Sequence, residues 1–240
     1  MFCISSFCLE AAFVPIPVAI WMMNTEWEGR DSSGFGNHAT ATGVTFTIGP
    51  TGEDGTAYRF YGRASSHLLV KGSQSMDVGA NGSFAFTAFV NMRSNKKTGA
   101  FIDFNHPDAY ALHVWSHPDY NLFLNMPERA NLHHIFQLTN LSFISDAWHF
   151  VGVSYDITTG KVIGLVDNKT AVESAGNHTV ATNTPVILLG GHSKKSHSYL
   201  LGDMSCAMLF SVSLSVDDMK RAKKYCMKQA RPYGKSNCQR

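Results

Sequence analysis

Charge is scarce in this chain. Only 16% of the 240 residues are Asp, Glu, Lys or Arg, and the formal net charge is +2. So weak a balance excludes the basic footprint of a nucleic-acid-binding protein. Long apolar runs are also missing. The longest stretch, Ala11 to Met23, contains Pro15 and Pro17 and is too short to cross a bilayer as a helix. No Cys-x-x-Cys pair occurs among the five cysteines, which argues against a zinc ribbon. Neither a Gly-x-Ser-x-Gly elbow nor a phosphate-binding Walker loop is present. Internal repeats and low-complexity segments are absent as well.

What remains is a chain rich in strand formers. Hydrophobic residues make up 44%, enough for a sizeable core, and 20 glycines punctuate the length. Short strands are expected at Val18–Met23, Ala57–Phe60, Ser66–Val70, Ala100–Phe104, Ala109–Trp115 and Asn121–Met126. In Ser83–Val90 the alternation places Phe84, Phe86, Ala88 and Val90 on one face and Ala85, Thr87 and Phe89 on the other. Both faces are apolar, which predicts a central strand covered on both sides. Trp148–Tyr155 is the strongest strand signal. Asp156–Gly160 then forms a hairpin loop, Lys161–Val166 returns, Asp167-Asn168 turns, and Thr170–Glu173 returns again. Val186–Leu189 and Leu200–Ser211 complete the set. One helix follows, capped by Ser215 with Asp218 three residues on. Its last turns carry Lys220, Arg221, Lys223, Lys224 and Lys228, read as a solvated helix end. Periodicity alone allows either a sandwich or a barrel.

The termini stand apart. Residues 1–17 read as an N-terminal segment with the look of a degenerate signal peptide, residues 18–228 as one domain, and 229–240 as a polar tail.

Five segments in order resemble laminin-G-like, concanavalin A-like lectin/glucanase jelly-roll domains. They are Asp31-Ser-Ser-Gly-Phe-Gly-Asn-His38; Gly55-Thr-Ala-Tyr-Arg-Phe-Tyr-Gly62; Gly82 to Val90; Trp148 to Asp156 with Val166-Asp-Asn-Lys169; and Leu188-Leu-Gly190 with Leu201 to Ser215. Asn168 stands where such domains usually have glycine. Pentraxins share the same architecture. The resemblance implies an all-β fold, a two-sheet antiparallel jelly-roll sandwich with one C-terminal helix. It also implies an extracellular, non-catalytic module that binds glycan or protein ligands, often with calcium, and neither nucleic acid nor insertion into membrane. Two other functions stay open: a structural or adhesive domain of a larger matrix or cell-surface protein, and a carbohydrate-active hydrolase. Glucanases of this fold carry a Glu-x-Asp-x-x-Glu strand, and this chain has none.

Candidate site residues follow. For calcium, the oxygen donors nominated are Asp31, Asn37 and Asp203. Asp103, Asn105 and Asp108 form a second oxygen-bearing set, taken as a loop. For a glycan, Tyr110, His113, Trp115 and Tyr120 supply aromatic and polar groups. The remaining histidines, including His117, His133, His134, His192 and His197, show no zinc spacing and are expected at the surface. Cys206 on the closing strand and Cys226 on the last helical turn are the disulfide candidates, leaving Cys3, Cys8 and Cys238 unassigned. Asn81, Asn140, Asn168 and Asn177 each begin an N-glycosylation sequon.

Overall fold

The computed structural model describes residues 15–93, 98–106, 110–117, 121–130, 136–192 and 198–229, with the backbone alone for 136–140. In chain order the strands are β1 (Ala19–Trp21), β2 (Ala39–Thr42), β3 (Thr45–Thr47), β4 (Ala57–Tyr61), β5 (His67–Lys71), β6 (Phe84–Met92), β7 (Gly99–Asn105) and β8 (His113–His117). They continue as β9 (Asn121–Asn125), β10 (Phe136–Ser142), β11 (Trp148–Asp156), β12 (Lys161–Val166), β13 (Lys169–Ser174), β14 (Val186–Leu189) and β15 (Leu201–Phe210), followed by helix α1 (Val216–Gln229).

These strands form two antiparallel sheets. Sheet A runs β13-β12-β11-β6-β15-β4-β3, and β1 adds to β15. Sheet B runs β10-β9-β8-β7-β14-β5-β2. The expected jelly-roll sandwich with one late helix is therefore the fold. A single apolar cluster fills the space between the sheets, with Phe84, Phe86, Ala88 and Val90 from β6 facing Phe101, Ile102, Val114 and Leu124 from sheet B. Burying each of these Val, Leu, Ile and Phe side chains fully contributes about 1.5–3 kcal/mol.

The other face of β6 is covered too, as its two-sided apolar pattern requires. Ala85 and Phe89 join Phe150, Met208, Met219, Ala222 and Cys226 in a second cluster beneath α1. Gly152 permits this approach, because a Cβ there would sit 2.7 Å from the Met219 sulfur. The cap is the predicted one: the Ser215 hydroxyl accepts from the Asp218 N–H at 3.1 Å, and the Asp218 carboxylate accepts from the Ser215 N–H at 3.0 Å. Cys206 and Cys226 are bonded as a disulfide that ties α1 to β15.

Local motifs have structural reasons. In the hairpin between β12 and β13, Asp167 takes φ 55°, and its carboxylate accepts from the Phe150 N–H at 2.9 Å and lies 2.7 Å from His149 Nδ1. That links the hairpin tip to the start of β11. Several strand expectations need correction. In the segment expected as Ala109–Trp115, strand begins only at His113 among the described residues, and β2, β3 and β10 were not foreseen.

Candidate functional site

Sheet A has no free central face, since α1 covers its outward side. Sheet B differs. Its outward face begins with a row set by register: Asp103 on β7 pairs with His113 on β8, which pairs with Asn125 on β9. Strict alternation along β7 would not give this arrangement. Phe101 is an extra residue between the pairs Ala100–Trp115 and Ile102–Val114. That bulge lets Phe101 and Ile102 both enter the core, while Ala100 and Asp103 both face outward. The next outward row is Ala100, Trp115 and Phe123, a small separate apolar cluster.

His192 arrives from the segment after β14. Gly190 makes the turn that brings it there. It takes φ 74°, and a Cβ would meet the Phe60 ring at 2.2 Å, so both conformation and space demand glycine. The Trp115 indole stacks on the His192 ring at 5.5 Å, and His113 packs edge-on against Trp115 at 4.5 Å. Tyr110 lies over the group, 5.9 Å from His113 and 6.2 Å from His192, with 36% of its surface exposed. His113 Nδ1 is 3.0 Å from the Ala111 carbonyl oxygen.

The arrangement amends several expectations. Asp103 is not in a loop but near the end of β7, and it is 3% exposed. His113 and Trp115 are not an open sugar platform, being 2% and 8% exposed. Among the described residues of that set, Tyr110 is the aromatic that solvent reaches, with half-buried Asn105 on the same strand as Asp103. Asp108 and Tyr120 lie outside the described residues. His192 was read as a surface histidine and is in fact buried at 2% exposure. Histidine spacing carries no signal of this, because β14 and its turn join it to β7 and β8 only in three dimensions. His117 is exposed as expected, and His133, His134 and His197 lie outside the described residues.

The calcium donors are placed differently from the expectation. Asp31 and Asn37 do share a turn. The Asp31 carboxylate accepts from the Ile20 N–H at 2.9 Å, the Ser33 N–H at 2.8 Å, the Ser33 hydroxyl at 2.8 Å and the Asn37 N–H at 2.9 Å. Asn37 donates to the Val18 carbonyl at 2.7 Å and accepts from the Ser73 hydroxyl at 2.9 Å. Asp203 is engaged elsewhere, on β15, by Arg59 at 2.9 Å and Arg93 at 3.3 Å. This ion pair raises the Arg59 guanidinium above its ordinary value, chiefly through the hydrogen bond to Asp203. These oxygens organise backbone and pair with cations, which is a structural role.

A brace lies near the end of sheet B. Arg129 makes a two-pronged ion pair with Asp77, and the Thr182 hydroxyl donates to the same carboxylate at 2.6 Å. Burial works to raise the Asp77 carboxyl. The hydrogen bonds from Arg129 and Thr182, with the Arg129 charge, override it and hold the group below the usual carboxylate range. Of the sequons, Asn81, Asn168 and Asn177 are exposed, and the Asn140 side chain lies outside the described residues. Cys3, Cys8 and Cys238 lie outside them too.

Comparisons with known proteins agree with the architecture. No curated protein sequence matches the chain. A solved structure of botulinum neurotoxin type C superimposes with a TM-score of 0.68 at 12% identity, covering 90% of this chain and 52% of that one. The binding domain of botulinum neurotoxin DC, in complex with rat synaptotagmin II, gives 0.66 at 12% identity, covering 88% and 52%. The binding domain of paraclostridial mosquitocidal protein 1 gives 0.61 at 15% identity, covering 82% and 49%. The chain thus spans about half the length of these domains, and at such identities the likeness is one of fold. A sequence model of the concanavalin A-like lectin/glucanases superfamily matches residues 63–220, well over half of the chain, and the protein belongs to that superfamily.

Proposed function

We propose that this chain is a non-catalytic recognition module that binds a glycan or a protein outside cells, reading its ligand on the outward face of sheet B around Tyr110. The observation that carries the reading is an asymmetry between the sheets. Helix α1 packs on the centre of the outward face of sheet A, whereas that of sheet B carries a buried polar and aromatic cluster capped by Tyr110, which is 36% exposed. Convergent polar groups among aromatics are the usual make-up of a binding site.

The absence of turnover rests on a count of carboxylates. Hydrolysis of a glycosidic bond needs two of them flanking the bond. The strands of sheet B bring a single one, Asp103, to the outward face. The solved relatives support recognition as the function. Cell entry of botulinum neurotoxin type C depends on interaction with two ganglioside molecules, and neurotoxin DC binding-domain structures include complexes with synaptotagmin II and SialylT. An extracellular setting suits the buried disulfide, since such bonds persist in oxidising compartments. It also suits the exposed sequons at Asn81, Asn168 and Asn177. No helix among the described residues is long and apolar enough to cross a membrane.

A glycan array and an ectodomain library screened with the untagged chain test this proposal. The expected result is a ligand whose affinity falls at least about tenfold in Tyr110→Ala, the loss expected when an anchoring aromatic is removed. A ligand that binds Tyr110→Ala as tightly as the parent chain would move the site elsewhere. A screen with no hits would favour the structural or adhesive alternative.

A further inference from the structure

Beneath Tyr110, three buried side chains from separate parts of the chain converge on one point. Asp103 comes from β7, His113 from β8 and His192 from the segment after β14, and none is more than 3% exposed. One donor atom from each lies within 4.8 Å of the other two. Asp103 Oδ1 stands 3.9 Å from His113 Nδ1 and 4.0 Å from His192 Nε2. Both separations exceed hydrogen-bond length, which ends near about 3.2 Å. They approach the roughly 3.3 Å between neighbouring ligands of a tetrahedral ion with bonds of about 2.0–2.1 Å. The two Asp–His separations would have to shorten by about 0.6–0.7 Å, and the His–His separation, at most 4.8 Å, by up to about 1.5 Å, to close the set around one centre.

We propose that Asp103, His113 and His192 form a binding site for a single divalent transition-metal ion, with zinc the ion that the donor set suits best. Two imidazole nitrogens and one carboxylate oxygen match zinc and its first-row neighbours. Calcium and magnesium demand oxygen throughout, so this site is distinct in chemistry from the oxygen-only set at Asp31, Asn37 and Asp203.

Three surrounding features favour an ion. The Ala111 carbonyl oxygen lies 3.0 Å from His113 Nδ1. Without metal, Nδ1 carries the proton donated to that oxygen. On binding, the neutral imidazole carries its single proton on Nε2, which frees the Nδ1 lone pair for the ion, and the carbonyl becomes an additional oxygen neighbour. Beside His113 in the same row, Asn125 is 3% exposed, and its Oδ1 finds no hydrogen-bond partner. Its amide lies against the same cluster, with Nδ2 3.4 Å from His113 Nδ1. Finally, Trp115 stacks on His192 and Tyr110 closes over both imidazoles, an apolar shell that fixes the rings and limits water. A bound ion would tie the segment carrying His192 to β7 and β8, and so order the floor under Tyr110.

The test needs no glycan, so its outcome is separate from that of the recognition proposal. The untagged full chain, stripped with chelator, is titrated with zinc by calorimetry and with cobalt by visible absorption. The expected result is one equivalent bound with a micromolar or tighter Kd, cobalt d–d bands of nitrogen and oxygen coordination, and a Tm rise of roughly 5–10 °C at hundredfold excess over Kd. His192→Gln and Asp103→Asn should each weaken binding at least about tenfold, while His197→Gln should not. Where a buried variant fails to fold, paramagnetic broadening by cobalt in the parent chain should fall first on the His113 and His192 imidazole resonances. Absence of stoichiometric binding overturns the proposal. So does binding unchanged in folded His192→Gln, or broadening centred on other histidines.

Discussion

Gly190 sits where two constraints meet, a φ of 74° and the Phe60 ring at 2.2 Å from any added Cβ. Gly190→Ala should therefore lower stability by about 2–4 kcal/mol, through strain and overpacking together. Urea unfolding measures this, and an unchanged midpoint would contradict it. Asp77 makes a second prediction at the same scale. Its folded-state pKa is held below the unfolded value by Arg129 and Thr182 against the opposing effect of burial. The stabilisation is thus present above the unfolded pKa of about 3.9 and is lost as pH falls through the folded value. Asp77→Asn should cost about 1–3 kcal/mol at neutral pH. The Tm gap between the two chains should close on acidification toward pH ~3, and a gap independent of pH would contradict the linkage. Single residues were partly legible in the sequence. Asp103, Tyr110, His113 and Trp115 could be nominated by type, but whether each lies open or covered depends on which segments fold over them. His192 could not be found by spacing at all.

Among the elements, β11 and β6 were the most legible, and the two apolar faces of β6 required cover on both sides, supplied here by sheet B on one and α1 on the other. The cap and lysine-rich end of α1 were equally plain. The bulge at Phe101 was not, since an extra residue in a ladder leaves no mark in a run as apolar as Ala-Phe-Ile. Nor was β10, whose Phe136–Ser142 sequence alternates only weakly. The bond between Cys206 and Cys226 joins elements 20 residues apart in sequence. Replacing both by Ala should cost about 3 kcal/mol, the closure entropy of a loop that size, measured as a lower denaturation midpoint. A double variant as stable as the parent would mean that the contacts of Met219 and Ala222 beneath α1 suffice to hold the helix.

On the scale of the whole molecule, the sandwich offers two outward faces, and α1 covers the centre of one of them. That division points recognition to sheet B, where the row Asp103–His113–Asn125 crosses three strands. The jelly-roll was legible because five turn-and-strand motifs recur in family order over most of the chain. The site was not, because it is a property of cross-strand register and of one tight glycine turn. A competing surface exists along α1, where Lys220, Lys223, Lys224, Met227 and Lys228 line a groove with Asn168. The most direct measurement is a co-crystal structure with the tightest ligand from the array. Ligand density packed against Tyr110 at the outward face of β7 and β8 is the result predicted. Density confined to the lysine groove, with the Tyr110 face bare, would contradict it.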